Sequence, residues 1–198
     1  MSLRRGFKAE SERISAEVRE EMDLSLEDRL DPFELARYLC IPVLGIGEAV
    51  TLIGKQDLGR YFLTEDVESF SAMTVFNGWK RMVVHNESHA PTRQASNIAH
   101  ELSHCLLEHL PEPVIRPDGH RCWNEEVEME ATWLGGALLV PRAGALRLAG
   151  SGMAVELIAS HFGVSLALCR WRMNETGIAH QIQRYANLRR TYSKAATR

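Results

Sequence analysis

The segment IAHELSHCLLEHL, residues 98–110, carries the residues whose spacing most clearly suggests chemistry. His100 and His104 are four positions apart, which on an α-helix places them roughly 40° apart around the axis and about 6 Å apart along it. Two imidazoles in this arrangement can bind one zinc ion. Glu101 lies at the edge of the same face, where it can contact a zinc-bound water without binding the metal. The pattern therefore predicts a hydrolytic metal site.

A plainer interpretation of the same segment is an amphipathic helix that happens to be rich in histidine. Its apolar residues fall on the side away from His100 and His104: Ile98, Leu102, Cys105 and Leu106. His109 falls on that apolar side too, and we predict that it is a packed histidine and not a ligand. The segment alone leaves both interpretations open.

A catalytic zinc needs a third protein ligand, and the candidates lie in NEEVEMEATWLGGALLVP. Acidic residues also favour the start of a helix for purely structural reasons, because they interact with the helix dipole. Glu128 and Glu130 project about 160° apart on a helix, so only one of them can reach the metal. From helix geometry alone the choice stays open.

The surrounding sequence predicts an α+β fold. A charged stretch, residues 5–22, is expected to form a solvent-facing helix, and Asp31 and Pro32 are typical of the start of a second helix. The stretch SAMTVFNGWKRMVVH predicts a β-hairpin around Asn77-Gly78. From residue 92 onward the pattern is helical.

The C-terminal stretch IASHFGVSLALCRWRM is similar to a helix-turn-helix. It begins a basic region, which contains Arg170, Arg172, Arg184, Arg189, Arg190, Lys194 and Arg198. This region predicts either DNA contact or a helical cap with a solvated basic face, and we favour the cap. We predict a domain over residues 1–145 and a helical segment over 146–198 that packs on it.

Bulk composition narrows the classes of protein. The formal net charge of −3 gives no general affinity for nucleic acid or for anionic membranes. The chain contains no apolar run long enough to span a membrane, and we predict that its basic N-terminal stretch is not a secretory signal because no apolar region follows it. The 4 cysteines are scattered without a Cys-x-x-Cys pair, which predicts free thiols and a cytoplasmic location.

Four blocks in order resemble the ImmA/IrrE-type zinc metallopeptidases of bacteria. They are LDPFELARYLCIPV, MVVHNES with RQASNIAHELSHCLLEH, EMEATWLGGALLVP and IASHFGVSLALCRWRM. The resemblance implies a zincin-like fold and makes Glu128 the third zinc ligand. Cys40 stands where the family usually has glycine. Thr132 stands where it has Asp or Asn, which in related enzymes orients a ligand histidine.

The resemblance implies a cytoplasmic zinc endopeptidase with a regulatory role. Its expected substrate is a protein, such as a helix-turn-helix repressor encoded nearby. Zinc held by His100, His104 and Glu128 would acidify a bound water, and Glu101 would act as general base. The alternative is a non-catalytic or DNA-contacting regulator with a structural or degenerate metal site.

Two further parts of the site can be proposed from the sequence. Tyr61, His120 and Arg121 are candidates for stabilising the oxyanion, with none preferred. The strand RMVVH, residues 81–85, is expected at the sheet edge beside the metal helix, where a substrate peptide could pair with it.

Overall fold

The structure is a computed structural model that describes residues 3–52, 54, 63, 69–77, 80–109, 124–185 and 187. Within these ranges no helix is long and apolar enough to cross a membrane. The strands are β1 (Val43–Gly45), β2 (Ala72–Asn77) and β3 (Lys80–His85). The helices are α1 (Phe7–Glu21), α2 (Pro32–Tyr38), α3 (Ile46–Leu52), α4 (Pro91–Leu106), α5 (Glu125–Leu139), α6 (Arg142–Gly150), α7 (Val155–Phe162), α8 (Leu166–Glu175) and α9 (178–185). The predicted α+β class is confirmed.

Among the described residues the sheet has three strands in the order β1-β3-β2. β2 and β3 pair antiparallel, with Asn77 opposite Lys80, so the predicted hairpin is confirmed, although Asn77 is the last residue of β2 and not part of the turn. Residues 78 and 79 lie outside the described ranges. β1 pairs with β3 in parallel. The expectation that residues 81–85 form an edge strand was wrong, because β1 covers the side of β3 that β2 leaves open.

The helix starts follow local side-chain chemistry. The side chains of Asp31, Asn124 and Ser165 each accept a hydrogen bond from a backbone N–H in the first turn of α2, α5 and α8. Cys40, at the end of α2, has φ +55°, a left-handed conformation that favours glycine. This conformation explains why the family pattern has glycine at that position.

Helix α1 is not solvent-facing as its charged sequence suggested. Phe7, Ser11, Ser15 and Arg19 are buried on the face that packs against α5. The Ser15 hydroxyl donates to the carbonyl oxygen of Ala137 at 2.8 Å, and Arg19 Nη2 donates to that of Leu138 at 2.7 Å. The prediction failed because these buried polar groups satisfy carbonyls of another helix, which hydrophobic periodicity does not register.

The core that supports α4 and α5 consists of two clusters. In the first, Ile98 and Leu102 of α4 pack with Leu134 and Leu138 of α5. In the second, residues at the end of α5 pack with α6, α7 and α8. Trp171 of α8 lies edge-on to Trp133 of α5, with 5.5 Å between ring centroids. The C-terminal helices therefore pack against the helix that carries the cluster of glutamates.

Two glycines of α6 give a matched test of this packing. A Cβ on Gly144 would lie 1.9 Å from the carbonyl oxygen of Leu26, whereas a Cβ on Gly150 would meet nothing within 4 Å. We expect Gly144→Ala to destabilise the fold by about 1–3 kcal/mol through overpacking. Gly150→Ala should be neutral or stabilise by up to about 1 kcal/mol, since alanine favours the helix. Urea unfolding measures both, and equal effects would contradict this account of α6.

Candidate metal centre

Helix α4 brings His100 and His104 together. Ile98, Ala99 and Leu102 are fully buried and hold the opposite side of the helix in the core. The two Nε2 atoms lie 3.2 Å apart, and the side chains are partly exposed at 26% and 16%. The face that the sequence proposed for the metal is therefore accessible, while the apolar face anchors the helix.

Glu128 of α5 completes a group that could hold a metal ion. Its Oε2 lies 3.2 Å from His100 Nε2 and 3.7 Å from His104 Nε2. A tetrahedral zinc with ligand bonds of about 2.0 Å separates its ligand atoms by about 3.3 Å. The three atoms already have this spacing, so these residues fit such an ion.

A close approach of two helices positions Glu128. A Cβ on Gly135 would lie 3.2 Å from the backbone nitrogen of His100, so α5 packs directly on the backbone of α4 at the metal site. The first turn of α5, capped by Asn124, then carries Glu128 to the histidines. Hydrogen bonds with His100 and His104 lower the pKa of Glu128 to about 2, which keeps the carboxylate ionised and suited to a cation.

Glu130 has different partners. Its Oε1 accepts from Arg4 Nε at 2.8 Å, and its Oε2 lies 3.5 Å from His109 Nε2. The structure therefore places Glu128, and not Glu130, beside the two histidines. Which of the two glutamates faces the histidines depends on how α5 is rotated about its own axis. That rotation could not be predicted from helix geometry alone.

Glu101 is held by strand β2 of the sheet. The hydroxyl of Thr74 on β2 donates to Glu101 Oε2 at 2.7 Å. This contact links the carboxylate next to the metal group with the strand that borders it. Thr74 was missed from the sequence, because nothing in a strand pattern tells which residue faces a helix that follows much later in the chain.

The second ring nitrogen of each histidine also has a neighbour. Thr132 Oγ1 lies 3.4 Å from His100 Nδ1, which is the contact that the resemblance assigned to this position.

His109 Nδ1 lies 2.9 Å from His104 Nδ1. The placement of His109 on the apolar side of the helix was wrong, because α4 ends at Leu106 and the chain then turns back. Burial and the nearby His104 lower the pKa of His109.

The metal group opens into a cavity of about 1610 Å³. Its lining includes β2 from Ala72 to Phe76 and the N-terminal segment around Arg4. A cavity of this size next to an edge strand has room for an extended peptide. The candidate oxyanion donors Tyr61, His120 and Arg121 lie outside the described residues.

Together, the small sheet, the His-Glu-x-x-His helix and the glutamate on the next helix define a zincin-like domain with a possible metal site. The family model of the IrrE N-terminal-like domain, Peptidase_M78, matches residues 55–174, more than half of the chain. The chain therefore belongs to the ImmA/IrrE-type metallopeptidase family. No curated protein matches it.

Proposed function

We propose that this protein is a zinc-dependent endopeptidase whose metal ligands are His100, His104 and Glu128. The observation that carries the proposal is the spacing of 3.2, 3.2 and 3.7 Å among the three ligand atoms. Two imidazoles and one carboxylate are a typical ligand set of a catalytic zinc that keeps one position open. Membership of a metallopeptidase family supports the same conclusion.

Glu101 is the general base of the proposed reaction. A zinc ion bound here would supply a Lewis acid that acidifies a water molecule and polarises the scissile carbonyl. Glu101 follows His100 on the same helix, and the Thr74 hydroxyl fixes one of its carboxylate oxygens. It takes the proton from the attacking water and passes it to the leaving amine.

Strand β2 is the proposed docking edge for the substrate. One side of β2 pairs with β3, and β2 ends the sheet on that side in the order β1-β3-β2 of the described strands. It lines the cavity beside the metal group. A substrate peptide that pairs with the edge of β2 that no described strand covers would pass alongside Glu101, which Thr74 of β2 contacts. This corrects the initial assignment of that role to residues 81–85.

The proposed substrate is a regulatory protein of the helix-turn-helix repressor type, and the proposed location is the bacterial cytoplasm. The substrate class is what the resemblance implies. The location is supported by Cys40, Cys105 and Cys169, which are free thiols. Cys122 lies outside the described residues.

DNA contact through the C-terminal helices has less support. Arg172 of α8 is 1% exposed and points inward, where it pairs with Glu12. Arg170 on the same helix forms an ion pair with Glu156 at 3.0 Å. These two arginines are engaged within the chain, as expected for a cap on the domain. The basic residues from Arg189 onward lie outside the described ranges.

Metal analysis and cleavage of a defined protein test the proposal. We expect about one zinc per chain, lost in both His100→Ala and His104→Ala, because a tetrahedral catalytic site needs all its protein ligands. Incubation with the repressor encoded beside the gene should give discrete fragments, and a chelator should stop their formation. His180→Ala, at an exposed position of α9, is the matched control. A chain that binds no zinc even when it is supplied would favour the non-catalytic alternative.

A further inference from the structure

The end of the metal helix brings a third histidine back to His104. Glu108 has φ +54°, and its N–H donates to the carbonyl of Cys105 at 3.2 Å. The N–H of His109 donates to the carbonyl of His104 at 3.0 Å. This pair of hydrogen bonds is a Schellman motif. It places His109, the second residue after the C-cap Leu107, beside His104, the third residue from the end of the helix. The backbone therefore builds the contact between His104 and His109.

The ring of His109 lies between His104 and Glu130. Its Nδ1 is 2.9 Å from His104 Nδ1, and its Nε2 is 3.5 Å from Glu130 Oε2. The side chains of His109 and Glu130 are only 11% and 16% exposed, so water competes weakly with these contacts. Arg4 in turn donates to Glu130 Oε1 at 2.8 Å. His109 is thus held from both sides.

These contacts define the tautomers of the two rings. His104 Nε2 faces His100 and Glu128, so a metal bound there leaves the ring proton on Nδ1. With a metal bound, that N–H would donate to His109 Nδ1, which would then be the acceptor. His109 would consequently carry its own proton on Nε2, which lies 3.5 Å from Glu130 Oε2. His109 Nδ1 is occupied by this hydrogen bond and lies on the side of His104 that faces away from His100 and Glu128. His109 is therefore not a metal ligand.

We propose that His109 is a positioning residue that orients His104 for metal binding. The inference rests on the proposed metal function. Ligand histidines generally need a hydrogen-bond partner at the second nitrogen, and losing that partner costs about 10- to 100-fold in metal affinity. On the His100 side the corresponding partner is the exposed Thr132 at 3.4 Å, a longer contact than that of His109.

Three substitutions of His109 in the full chain separate its acceptor atom from its bulk. The side-chain oxygen of asparagine is as many bonds from the backbone as histidine Nδ1. The amide oxygen and nitrogen of glutamine are one bond further out, like histidine Nε2. We expect His109→Ala to weaken zinc binding by about 10- to 100-fold in chelator competition. His109→Asn should stay close to wild type, and His109→Gln should resemble His109→Ala. His180→Ala is the control and should bind zinc like wild type.

A second measurement reports the geometry of the metal site and does not depend on catalytic activity. The visible spectrum of the cobalt-substituted protein should change in His109→Ala and be restored in His109→Asn, because it reports how the ligands surround the ion. Unfolding of the metal-free variants checks that each one folds.

Equal zinc affinity of wild type and His109→Ala, or of His109→Asn and His109→Gln, would overturn the positioning role and leave the peptidase proposal intact. A wild-type chain that takes up no zinc would overturn both. If zinc affinities rank as expected and no substrate is cleaved, the positioning role is supported and only the peptidase proposal fails.

Discussion

Replacing Glu101 by glutamine is expected to slow peptide cleavage by about 10²- to 10⁴-fold, the usual contribution of a general base. The amide cannot take a proton from water, yet it keeps the size of the side chain. Its oxygen can still accept the hydrogen bond that Thr74 donates in the wild type. Because Glu101 is not among the proposed ligands, the variant should keep its zinc.

The measurement is the single-turnover rate on the same protein substrate, together with zinc content. Glu20→Gln makes the same chemical change on α1, where the side chain is exposed, and should cleave at the wild-type rate. Undiminished cleavage by Glu101→Gln would rule out the proposed mechanism. Loss of zinc in that variant would show that Glu101 acts on the metal and not on water.

Replacing Arg172 by alanine is expected to destabilise the protein by about 3 kcal/mol, the low end of the usual cost of removing one partner of a buried ion pair, because the Glu12 side chain is 25% exposed. Arg172 is 1% exposed and pairs with Glu12 of α1. Its Nε also donates to the carbonyl of Val140 at the end of α5. The guanidinium therefore ties α1, α5 and α8 together behind the metal site. Burial lowers the pKa of Arg172, and the Glu12 carboxylate opposes that shift.

Arg170→Ala is the control, since it removes the same side chain two positions earlier on α8. Arg170 and Glu156 have side chains that are 57% and 56% exposed, and such surface pairs contribute about 0–1 kcal/mol. Thermal unfolding should show a loss on the order of 10 °C for Arg172→Ala and little change for Arg170→Ala. Similar small losses for both variants would contradict a structural role for the buried arginine.

The sequence identified the features that depend on neighbours along the chain. The four-residue spacing of His100 and His104 puts them on one face of any helix, and the structure shows their rings in contact. The cap residue Asp31 acts on a backbone group two residues away. The hairpin follows from two strand-like runs separated by a turn signal. Each of these is set by local backbone geometry.

Other features were missed because their cause lies elsewhere in the chain or in an unusual backbone conformation. The turn after α4 uses a non-glycine residue, Glu108, in the left-handed region, so no sequence signal marked the reversal that carries His109 to His104. The burial of α1 depends on Ser15 and Arg19 meeting carbonyls of α5. The order of the sheet depends on β1 joining β3 from a distant part of the chain.

By itself the sequence determined the fold class, the face of α4 that carries the candidate metal ligands and the short set of acidic residues that could complete the site. The family resemblance favoured Glu128 among them, but only the tertiary structure shows Glu128 at the histidines and Glu130 behind them, against Arg4 and His109. The reason is that local geometry sets the angle between two side chains on one helix, whereas packing sets the rotation of that helix against another. Here that rotation depends on the close approach of Gly135 to the backbone of His100.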